Sequence, residues 1–382
     1  MAPGCDKNPA GGGPDSNGDA NPMRPYFFAT MVLVMVGASY ALGGRDVVDA
    51  AGQASAAPSG KPYRFEKLAE GVYFATGTGV MTTMSNALVI VNADHTMLVD
   101  TSVTPAAARA LVAQVKDELT PKPIKYVFNS HYHFDHAHGN QIFGDDVEIV
   151  GHEYIRRMHL TNVLQQRTNR SFTGNLPGQI AQMKQRIAET TDAKERAGLE
   201  AGLGVTEAHW KAVQEVVPKP PNVTFTDTMV IHKGGREVQL HFLGRGHTGG
   251  DTMVFLPAER IVFTGDFFEG RPGGGVLSYL GDAFIDEWPA SLERLKALDF
   301  DVIVPGHGTP LRERKQIDDF QSYLRDFWRQ ASELRAQGLT AQQATERMDL
   351  SKYAAQYGAR AGRADARAVL RAYELLQIQM PM

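Results

Sequence analysis

The segment His131-Tyr132-His133-Phe134-Asp135-His136 packs four donor side chains, His131, His133, Asp135 and His136, into six residues. These are the borderline imidazole and hard carboxylate ligands that hold Zn²⁺. The stretch before them, Ile124-Lys125-Tyr126-Val127-Phe128, reads as a short buried strand, so the donors belong on the loop leaving that strand's carboxyl end. One loop cannot present all four to a single ion without crowding. The spacing therefore predicts two adjacent ions, His131 and His133 serving one, Asp135 and His136 the other.

Further donors follow other apolar runs. Glu237 to Leu243 leads into Gly244-Arg245-Gly246-His247-Thr248-Gly249-Gly250-Asp251, where glycines let backbone approach a ligand closely. His247 is the candidate third ligand of the first ion. Asp266, in Thr264-Gly265-Asp266 after the strand Arg260 to Phe263, is the natural bridge between two ions. Val302-Ile303-Val304 runs into Pro305-Gly306-His307-Gly308, and His307 completes the second ion. His138 is left over, as a supporting or loop-packing histidine.

At 382 residues and 43% hydrophobic content, the chain can build one large core or two smaller ones. A net charge of −4 carries no electrostatic footprint for nucleic acid, so the expected partner is a small-molecule substrate. The single cysteine, Cys5, excludes an intramolecular disulfide and leaves no thiolate for the candidate site. Residues 1–22 are rich in Gly, Pro, Asn, Asp and Ala and read as a disordered tail. The apolar run 26–42 after Arg24 has the layout of a secretory signal, with cleavage options after Ala41 or Ala56. Export to the periplasm or medium follows; the competing reading is an uncleaved membrane anchor through 26–42. A Gly/Ala/Ser-rich linker extends to residue 59.

From residue 60 to 312 short strands alternate with helices, which indicates a layered α/β core. Strands are expected at 63–67, 72–75, 85–92 and 96–100, then a helix at 105–119 with Thr104 as N-cap and Pro105 at N1. Between about 153 and 221 the strand pattern gives way to helical periodicity, over 179–190 and 206–217. This reads as a helical insertion, serving either as an ordinary packed hairpin or as a lid beside the site. Residues 313–382 form a C-terminal helical extension. There Ile317, Phe320, Leu324, Phe327, Ala331 and Leu334, then Val369, Leu370, Tyr373 and Leu376, mark core-facing stripes.

Taken in order, these motifs resemble those of the metallo-β-lactamase-fold hydrolases. His131 to His136 looks like that family's HxHxDH signature, and Gly246-His247-Thr248, Thr264-Gly265-Asp266 and Pro305-Gly306-His307-Gly308 resemble its later motifs. The resemblance covers roughly Tyr63 to Leu311. It implies a four-layered αβ/βα sandwich, two mixed sheets face to face with helices outside and the metals at one edge. Asp100 matches an acidic residue of the family that supports the ligands from behind. The bridging aspartate is similar to that of glyoxalase II-like thioesterases, whereas export is similar to three-histidine β-lactamases, which generally lack that carboxylate.

A water between two Zn²⁺ ions should lose a proton near neutral pH. The expected reaction is attack of the resulting hydroxide on an ester, lactone, thioester or lactam carbonyl, with Asp135 orienting it and holding its proton. Arg245 and Arg271 are the candidate anchors for a substrate carboxylate, through the planar guanidinium fork. Two alternatives stay open: a class B β-lactamase proper, and a mononuclear-iron sulfur dioxygenase of the same fold.

Overall fold

The computed structural model describes residues 60–379; the expected tail, signal or anchor segment and linker lie outside the described residues. Seven strands form the first sheet in chain order: β1 (Tyr63–Ala69), β2 (Val72–Gly77), β3 (Ala87–Val91), β4 (Thr96–Val99), β5 (Ile124–Phe128), β6 (Glu148–His152) and β7 (Val223–Phe225). The first four are antiparallel and the last four parallel. Antiparallel neighbours need only tight turns, whereas each parallel step needs a crossover. The helix α1 (Pro105–Glu118), the metal-loop segment with the short helix α2 (Phe134–Ala137), and the helical insertion supply these crossovers.

The second sheet is built from β8 (Thr228–Lys233), β9 (Arg236–Phe242), β10 (Thr252–Leu256), β11 (Ile261–Gly265) and β14 (Val302–Pro305), in the order β14-β11-β10-β9-β8. A small hairpin, β12 (Gly270–Arg271) with β13 (Gly274–Gly275), stands apart from both sheets. Because strand side chains alternate between faces, strands apolar throughout must be covered on both sides. Leu88 and Ile90 of β3 join Val254, Leu256 and Phe263 in the layer between the sheets. Val89, one residue out of phase, turns outward onto Leu111 and Val115 of α1. On the far side, Met253, Phe255 and Ile303 are covered by the helices Trp288–Lys296 and Lys315–Ala336. The result is the four-layered αβ/βα sandwich that the resemblance implied.

The α1 start agrees with its local chemistry. Thr104 caps it by accepting from the Ala107 N–H, and Pro105 occupies the first turn. The insertion comprises α3 (Glu153–Leu160), α4 (Arg167–Thr173), α5 (Leu176–Glu189) and α6 (Ala193–Val213). The last of these starts well before residue 206, because the Asp192 side chain caps it through the Glu195 N–H. The remaining helices are α7 (Trp288–Lys296), α8 (Lys315–Ala336), α9 (Ala341–Arg347), α10 (Ala354–Tyr357) and α11 (Ala366–Gln379). The expected stripe of α8 is buried from Ile317 to Ala331. In α11 the expected stripe is rotated: Ala368, Val369, Ala372 and Leu375 are buried, while Leu370 is 45% exposed. Among the described residues no helix is long and apolar enough to cross a membrane.

One backbone crossing locks the metal loop against the first sheet. A Cβ at Gly139 would press into the Thr101 carbonyl oxygen and come within 2.5 Å of the Ala108 Cβ. Gly139→Ala is therefore expected to destabilise the fold by about 1–3 kcal/mol through overpacking. Differential scanning calorimetry reads this as a drop of several degrees in Tm, about 2–4 °C per kcal/mol for a chain of this size; an unchanged Tm would refute the crossing.

Candidate metal centre

All four donor-bearing loops leave carboxyl ends of strands, one after β5 in the first sheet and three after β9, β11 and β14 in the second. They meet at one edge. His131, His133 and His247 form one group of ligand atoms and Asp135, His136, Asp266 and His307 another, the atoms of each lying within 4.8 Å of one another. In the first group His133 Nδ1 and His247 Nε2 are 2.9 Å apart. In the second, His307 Nε2 lies 3.1 Å from Asp135 Oδ2 and 3.3 Å from Asp266 Oδ2. Asp266 also reaches across: its Oδ2 is 3.6 Å from His247 Nε2 and 3.8 Å from His131 Nε2. The carboxylate thus stands between the groups.

The ligand rings are oriented from behind. Asp100 accepts at Oδ2 from His136 Nδ1 at 2.7 Å and from the Ser130 hydroxyl at 2.7 Å, and at Oδ1 from the Ser130 N–H at 2.8 Å. This aims His136 Nε2 into the second group. Asp100 adopts a left-handed φ of 61° to make these contacts, a conformation that aspartate tolerates better than most residues. His133 Nε2 faces Asp282 Oδ2 at 3.2 Å, leaving Nδ1 for the first group. Asp282 also accepts from Tyr132 Oη at 3.1 Å and from Thr168 of α4. Asp251 closes the turn carrying His247 by accepting from the Thr248 N–H and hydroxyl. Asn86 anchors the His307 turn through the Pro305 and Gly308 carbonyls, at 3.0 and 3.1 Å. Only glycine fits at 306, since a Cβ there would run into Asp266 Oδ1 and His136 Cε1.

Electrostatics divides the two groups. Burial, with His136 nearby, holds His131 well below the usual imidazole range. His247 is pushed down to about 3 by burial and His133, so both are neutral with lone pairs available. At His136 burial acts downward too, but Asp266, Asp135 and Asp100 outweigh it and hold the ring well above the usual range. The buried His131 Nε2 has no hydrogen-bond partner, although buried polar atoms are almost always paired, while His136 Nε2 and Asp266 Oδ1 face each other at 3.1 Å. Seven converging donors, one of them orphaned, fit metal ions. The nitrogen-rich mixture suits zinc-class ions better than calcium or magnesium.

The other expected site residues fall in different places. His138 is buried outside both groups, and burial with His159 nearby lowers its pKa to about 3. Arg245, the other candidate anchor, is already engaged by neighbouring side chains. Its guanidinium is paired with Glu287 at 2.9 Å and lies over the Phe284 ring. Arg271 is exposed on the hairpin whose Gly270 bridges to Gly308, next to His307. The insertion reaches the mouth through α4, where Phe172 stacks on Phe134 at 5.6 Å and meets Tyr279 at 5.7 Å.

Asp282, Thr168 and Asn86 went unrecognised in the sequence. Asp282 lies 149 residues from His133, and no local spacing links them. Asp251 had a signal, four residues after His247 in a glycine-rich turn where an Asx-type closure is common.

Comparison with known proteins agrees with this architecture. The family model described as the metallo-beta-lactamase superfamily matches residues 80–307. A linear primary-alkylsulfatase from Pseudomonas sp. is 28% identical over 273 residues, 68% of this chain and 49% of that protein; the chain thus spans about half the alkylsulfatase's length. A metallo-beta-lactamase type 2 from Bacteroides fragilis is 26% identical over 252 residues, 65% of this chain and 77% of that protein. A solved metallo-beta-lactamase from Pontibacter korlensis superposes with a TM-score of 0.50 at 19% identity, covering 69% of this chain and 99% of its own. With the family model spanning more than half of the sequence and every motif meeting at one sheet edge, the chain belongs to the metallo-beta-lactamase superfamily.

Proposed function

We propose that the chain is a binuclear zinc hydrolase acting on an ester, lactone, thioester or lactam carbonyl of a small molecule. The observation that carries this reading is the position of Asp266 between two complete donor groups. His131, His133 and His247 would hold one ion, and Asp135, His136 and His307 the other, with Asp266 shared. Bound there, the ions would supply Lewis acidity and a water acidified to near neutral pH. The chain's own residues do the rest. Asp135, buried beside His136 and His307, accepts the proton of the nucleophile at its carboxylate. Asp100 and Asp282 keep His136 and His133 turned toward the centre. Phe134, Phe172 and Tyr279 wall off bulk water beside the first group, and Arg271 on its exposed hairpin anchors a substrate carboxylate.

A second reading is favoured by likeness to the linear primary-alkylsulfatase: the bond cleaved is that of a sulfate ester. The same donor set serves either electrophile, so the substrate decides between them. The test is elemental analysis of purified protein, followed by turnover of p-nitrophenyl acetate, a γ-lactone, an acyl thioester, a chromogenic cephalosporin and dodecyl sulfate. Two zinc ions per chain and chelator-sensitive hydrolysis of a carbonyl substrate are expected. Cleavage of dodecyl sulfate alone would replace the carbonyl reading with the sulfatase one. One iron per chain with oxygen consumption would overturn both in favour of a dioxygenase. Export remains part of the proposal, on the strength of the apolar run 26–42, and mass spectrometry of the mature N-terminus in fractionated cells checks it.

A further inference from the structure

The polar face of the C-terminal helix remains unexplained by the reaction. Residues 313–382 lie beyond the family match, which ends at 307, and the apolar stripe of α11 accounts only for packing. Arg367, Arg371 and Glu374 recur at helical spacing on a neighbouring face. All three turn toward the metal centre's outer wall.

Arg371 Nε donates to the Ala283 carbonyl at 2.8 Å, and its guanidinium lies 4.9 Å over the Phe284 ring. Glu374 pairs with Arg167 of α4, whose Nη1 donates to the Gly281 carbonyl at 2.9 Å. Arg367 sits 4.9 Å over Tyr279 and 5.5 Å over Phe172. The two gripped carbonyls flank Asp282, the carboxylate that faces His133 Nε2. The same loop is tied to the His247 turn, because the Phe284 N–H donates to the Gly246 carbonyl at 2.8 Å.

We infer that α11 straps the 279–284 loop in place, so that Arg371 and Glu374 are positioning residues for the first donor group, acting through Asp282 on His133. The strap rests on reading His133 as a ligand. A loop without secondary structure cannot hold a carboxylate to a few tenths of an ångström by itself. Two backbone carbonyls fixed by arginines on either side of it can. Groups behind a metal ligand typically change metal affinity about 10–100-fold when removed, and the strap lies one step further out.

The test compares full-length wild type with Arg371→Ala, Glu374→Ala and the double variant, with Leu370→Ala on the exposed face of the same helix as control. The readouts are Zn²⁺ titration by calorimetry and the visible absorption spectrum of the Co²⁺-loaded protein. Affinity for one of the two ions should fall about 5–10-fold in the double variant, at or just below the lower end of the range for groups directly behind a ligand. The Co²⁺ bands should shift and Leu370→Ala should match wild type. Arg371→Lys, which can still donate to the Ala283 carbonyl, should retain most of the affinity. If Arg371→Ala fails to fold, Glu374→Gln takes its place as the probe of the strap, because it weakens the tie between α11 and Arg167, and there too a shift in one site supports the strap. Wild-type affinity and spectrum in the folded double variant or in Glu374→Gln would overturn it. Failure of wild type itself to bind two ions would instead overturn the reading of the metal centre, and the strap's role with it.

Discussion

Asp266→Ala is expected to reduce turnover roughly 10³-fold or more, on the scale of losing a preorganised electrostatic group at the reacting centre. The bound metal should fall from two ions per chain to at most one. The reason is position. Asp266 Oδ2 lies within 4 Å of His131, His247 and His307, while Oδ1 faces His136 at 3.1 Å. No neighbouring carboxylate has this reach: Asp135 meets only His136 and His307, and Asp100 is turned to the back of His136. Elemental analysis after gel filtration and steady-state rates on the best substrate would check both parts. Two tightly held ions in the alanine variant would mean that the groups close without a bridge.

Asp100→Ala should be the most destabilising single substitution in the centre. Asp100 is wholly buried and satisfies three donors at once, the Ser130 N–H, the Ser130 hydroxyl and His136 Nδ1. Removing it leaves the Ser130 N–H and His136 Nδ1 without a partner, leaves the Ser130 hydroxyl with only His131 Nδ1 at 3.0 Å, and takes away the carboxylate facing the buried His136 ring. A broken buried charge pair alone costs about 3–5 kcal/mol, and alanine at a left-handed φ adds roughly 1–2 kcal/mol. Metal affinity of the second group should fall about 10–100-fold, because His136 loses the contact that orients it. Asp100→Asn keeps the left-handed backbone accessible and one acceptor oxygen, so it should recover part of the stability. Chemical denaturation of the metal-free forms separates the two contributions. Equal stability of the alanine and asparagine variants would show that the backbone conformation and the hydrogen bonds at Asp100 matter little.

The donors, their loops and the layered core were legible in the chain because each rests on local rules. Imidazoles and carboxylates clustered after an apolar run announce a metal loop, and strands that are apolar on both faces demand cover on both sides. Leu88, Val89 and Ile90 declare that alternation without any knowledge of their neighbours. Even the pairing of the donors into two groups followed from crowding within one loop.

What only the folded chain decided is which distant groups stand behind the ligands. Asp282 meets His133, Asn86 holds the His307 turn, and Arg371 grips the loop before α7, each across a long stretch of sequence. Such contacts leave no period or spacing to read, since a single hydrogen bond needs only one residue at each end. Arg245 shows the same limit in reverse: its place beside His247 in the sequence suggested an anchor, yet its guanidinium lies against Glu287 and Phe284. The direction of a long side chain is set by whichever partner the tertiary fold brings within reach, and sequence proximity to a ligand has no say in that choice.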